Sequence, residues 1–262
     1  MSSNIDDPID DEKYRAPALS KGLDILELLA SKAEGMTQVD IAKTLGRTTS
    51  EIFRMLMVLR TRGYVELAED GDRYSLTTKM FEVAHRHPPI KRLTSIAGEA
   101  MQRLADRINQ SLHLGILHSG KILVVAQVDC QDNNVTSVRL GAHIPIVETA
   151  SGRVMASTMD DDALQKLLTE AGDVPADKYA AFMGDLPDVA KKGYCESPSL
   201  TIEGVLNISA PIYDFSGRAV GAITIPFIRR LSGTSIVSAE ESREALILMC
   251  ANISRKLGAG VR

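Results

Sequence analysis

Apolar residues fall into two rhythms along this chain, and the change from one to the other marks its elements. Over Ala18–Leu29 they stand at Leu19, Leu23, Ile25, Leu26 and Leu29, the three-and-four spacing of one helix face, with Ser20 near the start. Thr37–Leu59 repeats the rhythm twice. Ile41, Ala42 and Leu45 form one short stripe, and Ile52, Met55, Leu56 and Leu59 form a second. Gly46 between them tolerates positive φ at a sharp turn, and Thr48, Thr49 and Ser50 are each competent to cap the second helix. Two short helices joined by such a turn predict a helix-turn-helix, whose second helix fits the DNA major groove. The period then drops to two. Tyr64–Leu67 and Arg73–Leu76 alternate around Glu69-Asp70-Gly71-Asp72, a tight-turn composition, which predicts a hairpin wing.

Thr78–His87 reads as a short helix stopped by Pro88-Pro89, and Ile90–Asn109 resumes the helical stripe. Beyond it the pattern predicts strands at Ser111–Leu117 and Lys121–Asp129 around the turn His118-Ser119-Gly120. A third strand is expected at Val135–Leu140, then an extended His143–Ile146. Short helices are expected at Ala150–Ser157, Asp160–Ala171 and Leu186–Lys192, the last closed by Gly193. Strands at Gly204–Tyr213 and Ala219–Phe227 flank Asp214-Phe215-Ser216-Gly217. The chain closes on a long helix capped by Ser238 with Glu241 three residues on. The expected fold class is α+β, an N-terminal winged helix-turn-helix followed by an antiparallel sheet carrying helices. The expected layout is a disordered acidic tail over 1–15, the DNA-binding domain over 16–77, a linker helix over 78–89 and an effector domain over 90–262.

Composition narrows the function. The net charge of −4 looks unsuited to DNA, but it is unevenly placed. Residues 12–92 hold 14 Lys/Arg against 11 Asp/Glu, a net of +3, whereas the first eleven residues carry −4. A few phosphate contacts, doubled by dimerisation, suffice for binding. No apolar run approaches the roughly 18 residues of a membrane span, and the polar acidic start is not a secretory signal. These features favour the cytoplasm and no membrane partner. Three scattered cysteines make neither a disulfide framework nor a zinc knuckle, and the absence of Trp disfavours stacking on single strands.

The order of motifs resembles the IclR family of bacterial transcriptional regulators over residues 17–258. Three segments carry the likeness: ALSKGLDILELLA with TQVDIAKTLG and TSEIFRMLMVLRTRGYVE; VRLGAHIPIVETASGRVMAS; and KKGYCESPSLTIEGVLNISAPIYDFSGRAVGAITI. The resemblance implies a GAF-like α/β effector-binding domain, a dimer held partly through the DNA-binding domains, and often a tetramer. It also implies pocket positions near Ser197, Asn207, Ser209 and Thr224. Members that read glyoxylate and pyruvate carry an acidic residue and a Cys on this segment. Here Ser197 and Asn207 stand in those places and Pro226 replaces a Ser, so the expected pocket is polar but differently equipped.

Candidate DNA contacts are Arg47, Thr48, Thr49, Ser50 and Arg54, at the turn and first turns of the second motif helix. Exposed N–H groups and short hydroxyls there suit phosphates and base edges. Arg73 in the wing is a further candidate. Thr149, Ala150, Ser151 and Gly152 open a predicted helix, where unsatisfied N–H groups attract anions and small side chains admit a ligand. The resemblance implies small carboxylates or aromatic acids as effectors, which suits such a site. No metal or cofactor is expected: His85-Arg86-His87 lacks further ligands at useful spacing, and His113, His118 and His143 read as sheet or loop residues. Cys195 has no Cys-x-x-Cys partner. No phosphate loop or nucleophile elbow occurs, so a regulator is expected rather than an enzyme. A ligand-independent DNA-binding assembly protein, or an enzyme acting on the bound ligand, are the alternatives.

Overall fold

The computed structural model describes residues 16–68, 71–85, 88–132, 135–229 and 237–260. The tail over 1–15, Glu69-Asp70 of the expected wing turn and Arg86-His87 lie outside them. The chain divides into two compact units, Met1–Pro88 and Pro89–Arg262.

The first unit runs α1 (Pro17–Ala30), β1 (Met36–Thr37), α2 (Gln38–Thr44), α3 (Thr49–Thr61), β2 (Val65–Leu67), β3 (Arg73–Leu76) and α4 (Lys79–His85). Its core gathers Ile25 and Leu29 of α1, Ile41 and Ala42 of α2, Ile52, Leu56 and Leu59 of α3, and Val65 and Tyr74 of the wing. Gly46 sits at φ +61°, the left-handed turn that separates α2 from α3. The sheet has three strands in the order β1-β3-β2. The extra strand, β1, is too short for its two residues to display any period, and it forms because Met36 and Thr37 pair with Tyr74 and Arg73.

The second unit begins with α5 (Pro88–Ile108), so Pro88 and Pro89 open a helix as well as separating two. Proline suits that position because the first N–H groups of a helix have no intrahelical acceptor. Next come β4 (Leu112–His118), β5 (Lys121–Val128), β6 (His143–Pro145), a 3₁₀ turn (Ile146–Glu148), α6 (Ala150–Ala156), α7 (Asp161–Ala171), α8 (Ala176–Lys192), β7 (Cys195–Pro198), β8 (Val205–Tyr213), β9 (Ala219–Ile228) and α9 (Ala239–Lys256). The six strands lie in the order β6-β5-β4-β9-β8-β7, each pair antiparallel. One face buries Leu112, Leu114, Ile208, Ala210, Ile223 and Ile225 against α5 and α9. The other carries α6, packed with Ile122, Val189, Cys195 and Ala222.

Three expectations are corrected. Val135–Leu140 forms no strand. Backbone bonding to β5 resumes where Gly141 donates to the Val124 carbonyl at 2.9 Å, and His143–Pro145 supplies the edge strand instead. β7 was missed, since Cys-Glu-Ser-Pro has no alternation and is a strand only by pairing with β8. The helix expected from Leu186 starts ten residues earlier, at Ala176. Pro187 resembles a helix start in sequence, yet Phe182, Leu186 and Val189 are buried in series on both sides of it, and that burial carries the helix through.

Candidate nucleic-acid interface and ligand cavity

At the N-terminus of α3, Thr48 is the cap, in a complete capping box. The Glu51 N–H donates to Thr48 Oγ1 at 3.4 Å, and the Thr48 N–H and hydroxyl donate to Glu51 Oε2 at 3.1 and 2.8 Å. Glu51 also accepts from Lys21 Nζ of α1 at 2.5 Å. The Lys21 bond first, then the two from Thr48, holds the Glu51 carboxyl at about 2, so it is ionised at every physiological pH. Gln38 Nε2 donates to the Thr49 carbonyl at 3.0 Å and ties α2 to the same corner. Thr48 is therefore a structural cap whose hydroxyl is already engaged.

Around this braced corner Arg47, Thr49, Ser50 and Arg54 are all exposed. Ser50 and Arg54 lie one turn apart on the side of α3 opposite Ile52, Leu56 and Leu59. Phe53 and Met57, unassigned from sequence, are exposed on the same side, Phe53 at 46%. An aromatic side chain left that open in a helix with a full core is the signal that could have drawn notice. Arg73 stands at the start of β3 rather than at the wing tip, and its Nη1 donates to the Gly35 carbonyl at 3.3 Å. One guanidinium N–H thus braces β1 and β3.

In the second unit a cavity of about 150 Å³ lies on the α6 side of the sheet. Five of the eight expected effector residues line it: Thr149, Ala150, Ser151, Asn207 and Thr224. Gly152, Ser197 and Ser209 do not. The Gly152 N–H is bound by Thr149 Oγ1 at 2.9 Å, and a Cβ on Gly152 would sit 1.9 Å from the Ile146 carbonyl oxygen. Glycine is there to let the 3₁₀ turn approach α6. Ser209 lies one layer behind, accepting from Thr224 Oγ1 at 2.9 Å and donating to the Ile223 carbonyl at 3.3 Å. Ser197 pairs with Asn207 in register on β7 without reaching the cavity.

His113, expected as a sheet or loop residue, stands on β4 and also lines this cavity. It lies on β4 directly opposite Thr224 of β9, and opposite residues share a face. Its side chain is buried, Nδ1 has no hydrogen-bond partner among the described residues, and desolvation lowers its pKa to about 4. The imidazole is therefore neutral at pH 7. Glu148 also lines the cavity and is paired with Lys178 of α8 at 2.5 Å. Arg153 of α6 is buried, donating from Nε to Asp185 at 2.7 Å and from Nη1 to the Thr149 carbonyl at 3.3 Å, which locks the cavity wall to α8. Among the described residues no group of His, Cys, Asp and Glu is placed to hold a metal ion.

Comparison with known families decides what carries these two sites. Residues 18–68 match the IclR helix-turn-helix domain, and residues 90–255 match the bacterial transcriptional regulator IclR C-terminal domain. The chain belongs to the IclR family. It is a DNA-binding transcriptional regulator, as are its relatives, and not an enzyme. Similar proteins include the HTH-type transcriptional regulator KdgR of Escherichia coli, 25% identical over 96% of this chain and 95% of the relative. The glycerol operon regulatory protein of Streptomyces coelicolor is 28% identical over 93% and 97%. Among solved structures, the Thermotoga maritima IclR superposes with a TM-score of 0.73 at 22% identity, covering 92% of this chain and 98% of that one. An IclR homolog from Microbacterium hydrocarbonoxydans, solved with 4-hydroxybenzoate, gives 0.76 at 18% identity, with the same coverage of 92% and 98%. These likenesses bear out the helix-turn-helix and the α/β domain with its antiparallel sheet. Among the described residues no helix is long and apolar enough to cross a membrane.

Proposed function

We propose that this IclR-family chain binds a near-palindromic double-stranded DNA operator in the cytoplasm, as a homodimer or tetramer, and that a small metabolite in the cavity beside α6 modulates that binding. The exposed corner at the start of α3 carries the DNA reading. Thr49 and Ser50 sit where helix N–H groups lack intrahelical acceptors and meet phosphates, Arg47 brings its guanidinium to the same corner, and Arg54 reaches a guanine edge or a phosphate. Thr48 acts by capping and positioning the start of α3, Phe53 offers apolar contact to a thymine methyl, and Arg73 adds a contact to the DNA backbone from the wing.

The cavity carries the effector reading, because a mainly apolar cleft with a few polar groups converging on it, here Thr149, Ser151, Asn207, Thr224 and the buried His113, is what a small-ligand site requires. Its contacts are Thr149, Ala150, Ser151, Asn207 and Thr224, with Gly152, Ser197 and Ser209 as its support. The proposed ligand class is a small organic or aromatic acid. The 4-hydroxybenzoate held by the Microbacterium homolog supports that class. Residues 78–89 are the proposed coupling segment.

The test has two steps. Selection of bound sequences from a random DNA pool defines the operator, and operator affinity is then read by fluorescence anisotropy with and without ligands found by thermal shift among organic, sugar and aromatic acids. A ligand at 100 times its dissociation constant adds about 2.7 kcal/mol when it binds only the folded state. Failure to enrich any sequence would sink the DNA reading, and ligands that bind yet leave operator affinity unchanged would sink the modulation.

A further inference from the structure

We infer that His113 anchors the cavity's ligand, and that the group it receives is a hydroxyl of a small hydroxylated molecule. This inference rests on the reading of the cavity as the effector site and names the chemistry that selects the occupant. The sheet carries an unbroken polar row across its α6 face, with His113 on β4 opposite Thr224 on β9, itself opposite Ser209 on β8. Within that row the bonds run one way, from the Thr224 hydroxyl to Ser209 and from Ser209 to a backbone carbonyl. The Thr224 proton is committed to Ser209 and the Ser209 proton to that carbonyl, and among the described residues Nδ1 of His113 is left without a partner. Buried polar atoms are almost always bonded, and an exception points to a missing partner. Here the exception belongs to a side chain of the cavity lining.

The chemistry of that partner derives from the imidazole. Burial keeps it neutral, so it offers one N–H and one lone pair. A hydroxyl is uncharged and complements either tautomer, as donor or as acceptor. A carboxylate presented directly to His113 only accepts, so it complements only one tautomer, and its charge must leave water to get there. A ligand with a further acid group is compatible, provided that its hydroxyl is the end that reaches His113. Ser151 and Asn207 of the same lining serve further polar groups as donors and acceptors. The volume of about 150 Å³ matches one small ring or a short polyol, since cavities of roughly that size hold benzene.

The experiment uses matched probes on the full chain: phenol against benzene, benzyl alcohol against toluene, and glycerol against propane-1,2-diol. Binding is read by thermal shift and by the imidazole ¹⁵N resonances of histidine-labelled protein. The expected result is that at least one hydroxylated member binds tenfold or more tighter than its counterpart and moves the His113 Nδ1 resonance. In His113→Leu that advantage falls below twofold, while His113→Asn, which keeps an amide near the Nδ1 position, restores part of it. Equal affinity within every pair, an advantage that survives in His113→Leu, or no binding by any hydroxylated probe would each overturn the assignment. If His113→Leu does not fold, the ¹⁵N shift in the native chain decides alone: a stationary Nδ1 resonance under saturating hydroxylated ligand refutes the contact. A ligand that releases the operator without involving His113 would leave the proposed regulation standing and remove only this inference.

Discussion

Single side chains set the two sites apart by how they commit their polar groups. Arg54 is exposed on α3, and its replacement by Ala should cost about 1–3 kcal/mol of operator binding. Unchanged anisotropy at physiological salt would remove it from the interface. His113 makes the opposite commitment, since burial suppresses its charge. Its folded pKa of about 4 lies below the ordinary 6.5, so between these values the unfolded chain holds more protons. Stability therefore falls as pH drops from about 6.5 to about 4, by roughly 3 kcal/mol in total, and is fully present above 6.5. Urea unfolding should show this slope flattened in His113→Gln, and identical slopes would show that another group titrates. Gly152→Ala drives a methyl into the Ile146 carbonyl and should destabilise the second unit by about 2–3 kcal/mol, visible as a lowered Tm. At this scale the sequence exposes residue type but not what a residue touches. Thr48, Thr49 and Ser50 are alike as caps by residue type, but only Thr48 has a Glu three residues on, and the fold realises that capping box.

Among the elements, those closed by local chemistry match the sequence reading most closely. α9 begins at the Ser238–Glu241 capping box, α7 is capped by Asp160, and the β4–β5 hairpin turns at Ser119-Gly120. Each depends on residues within about four positions of one another. The capping box of α3 does more, because Glu51 also carries the ion pair to α1. Thr48→Ala should cost about 1 kcal/mol of stability in the first unit and weaken operator binding by loosening the α3 start. A variant with native urea stability would show that Glu51 holds the corner without its cap. The elements that escaped prediction are those whose reason lies elsewhere in the chain: β1 and β7 exist through their partners β3 and β8, and α8 continues past Pro187 because its apolar side is buried.

For the whole molecule the decisive property is linkage. If the effector changes operator affinity, the operator must change effector affinity by the same factor. Titrating the ligand into free protein and into the protein–operator complex should give dissociation constants that differ by the factor seen in anisotropy. Equal constants alongside ligand-dependent DNA release at equilibrium would be inconsistent with that coupling. The sequence by itself determined the DNA-reading motif, its wing, the α+β class of the second unit and most helix ends, because periodicity, turns and caps act over a few residues. Tertiary structure decided which extended segment becomes the sheet edge, which of the Thr149–Thr224 candidates face a common cavity, and that His113 joins them. The physical reason is pairing at a distance: His113 and Thr224 become neighbours only when β4 lies against β9, and the imidazole is held neutral only once folding has taken it out of water.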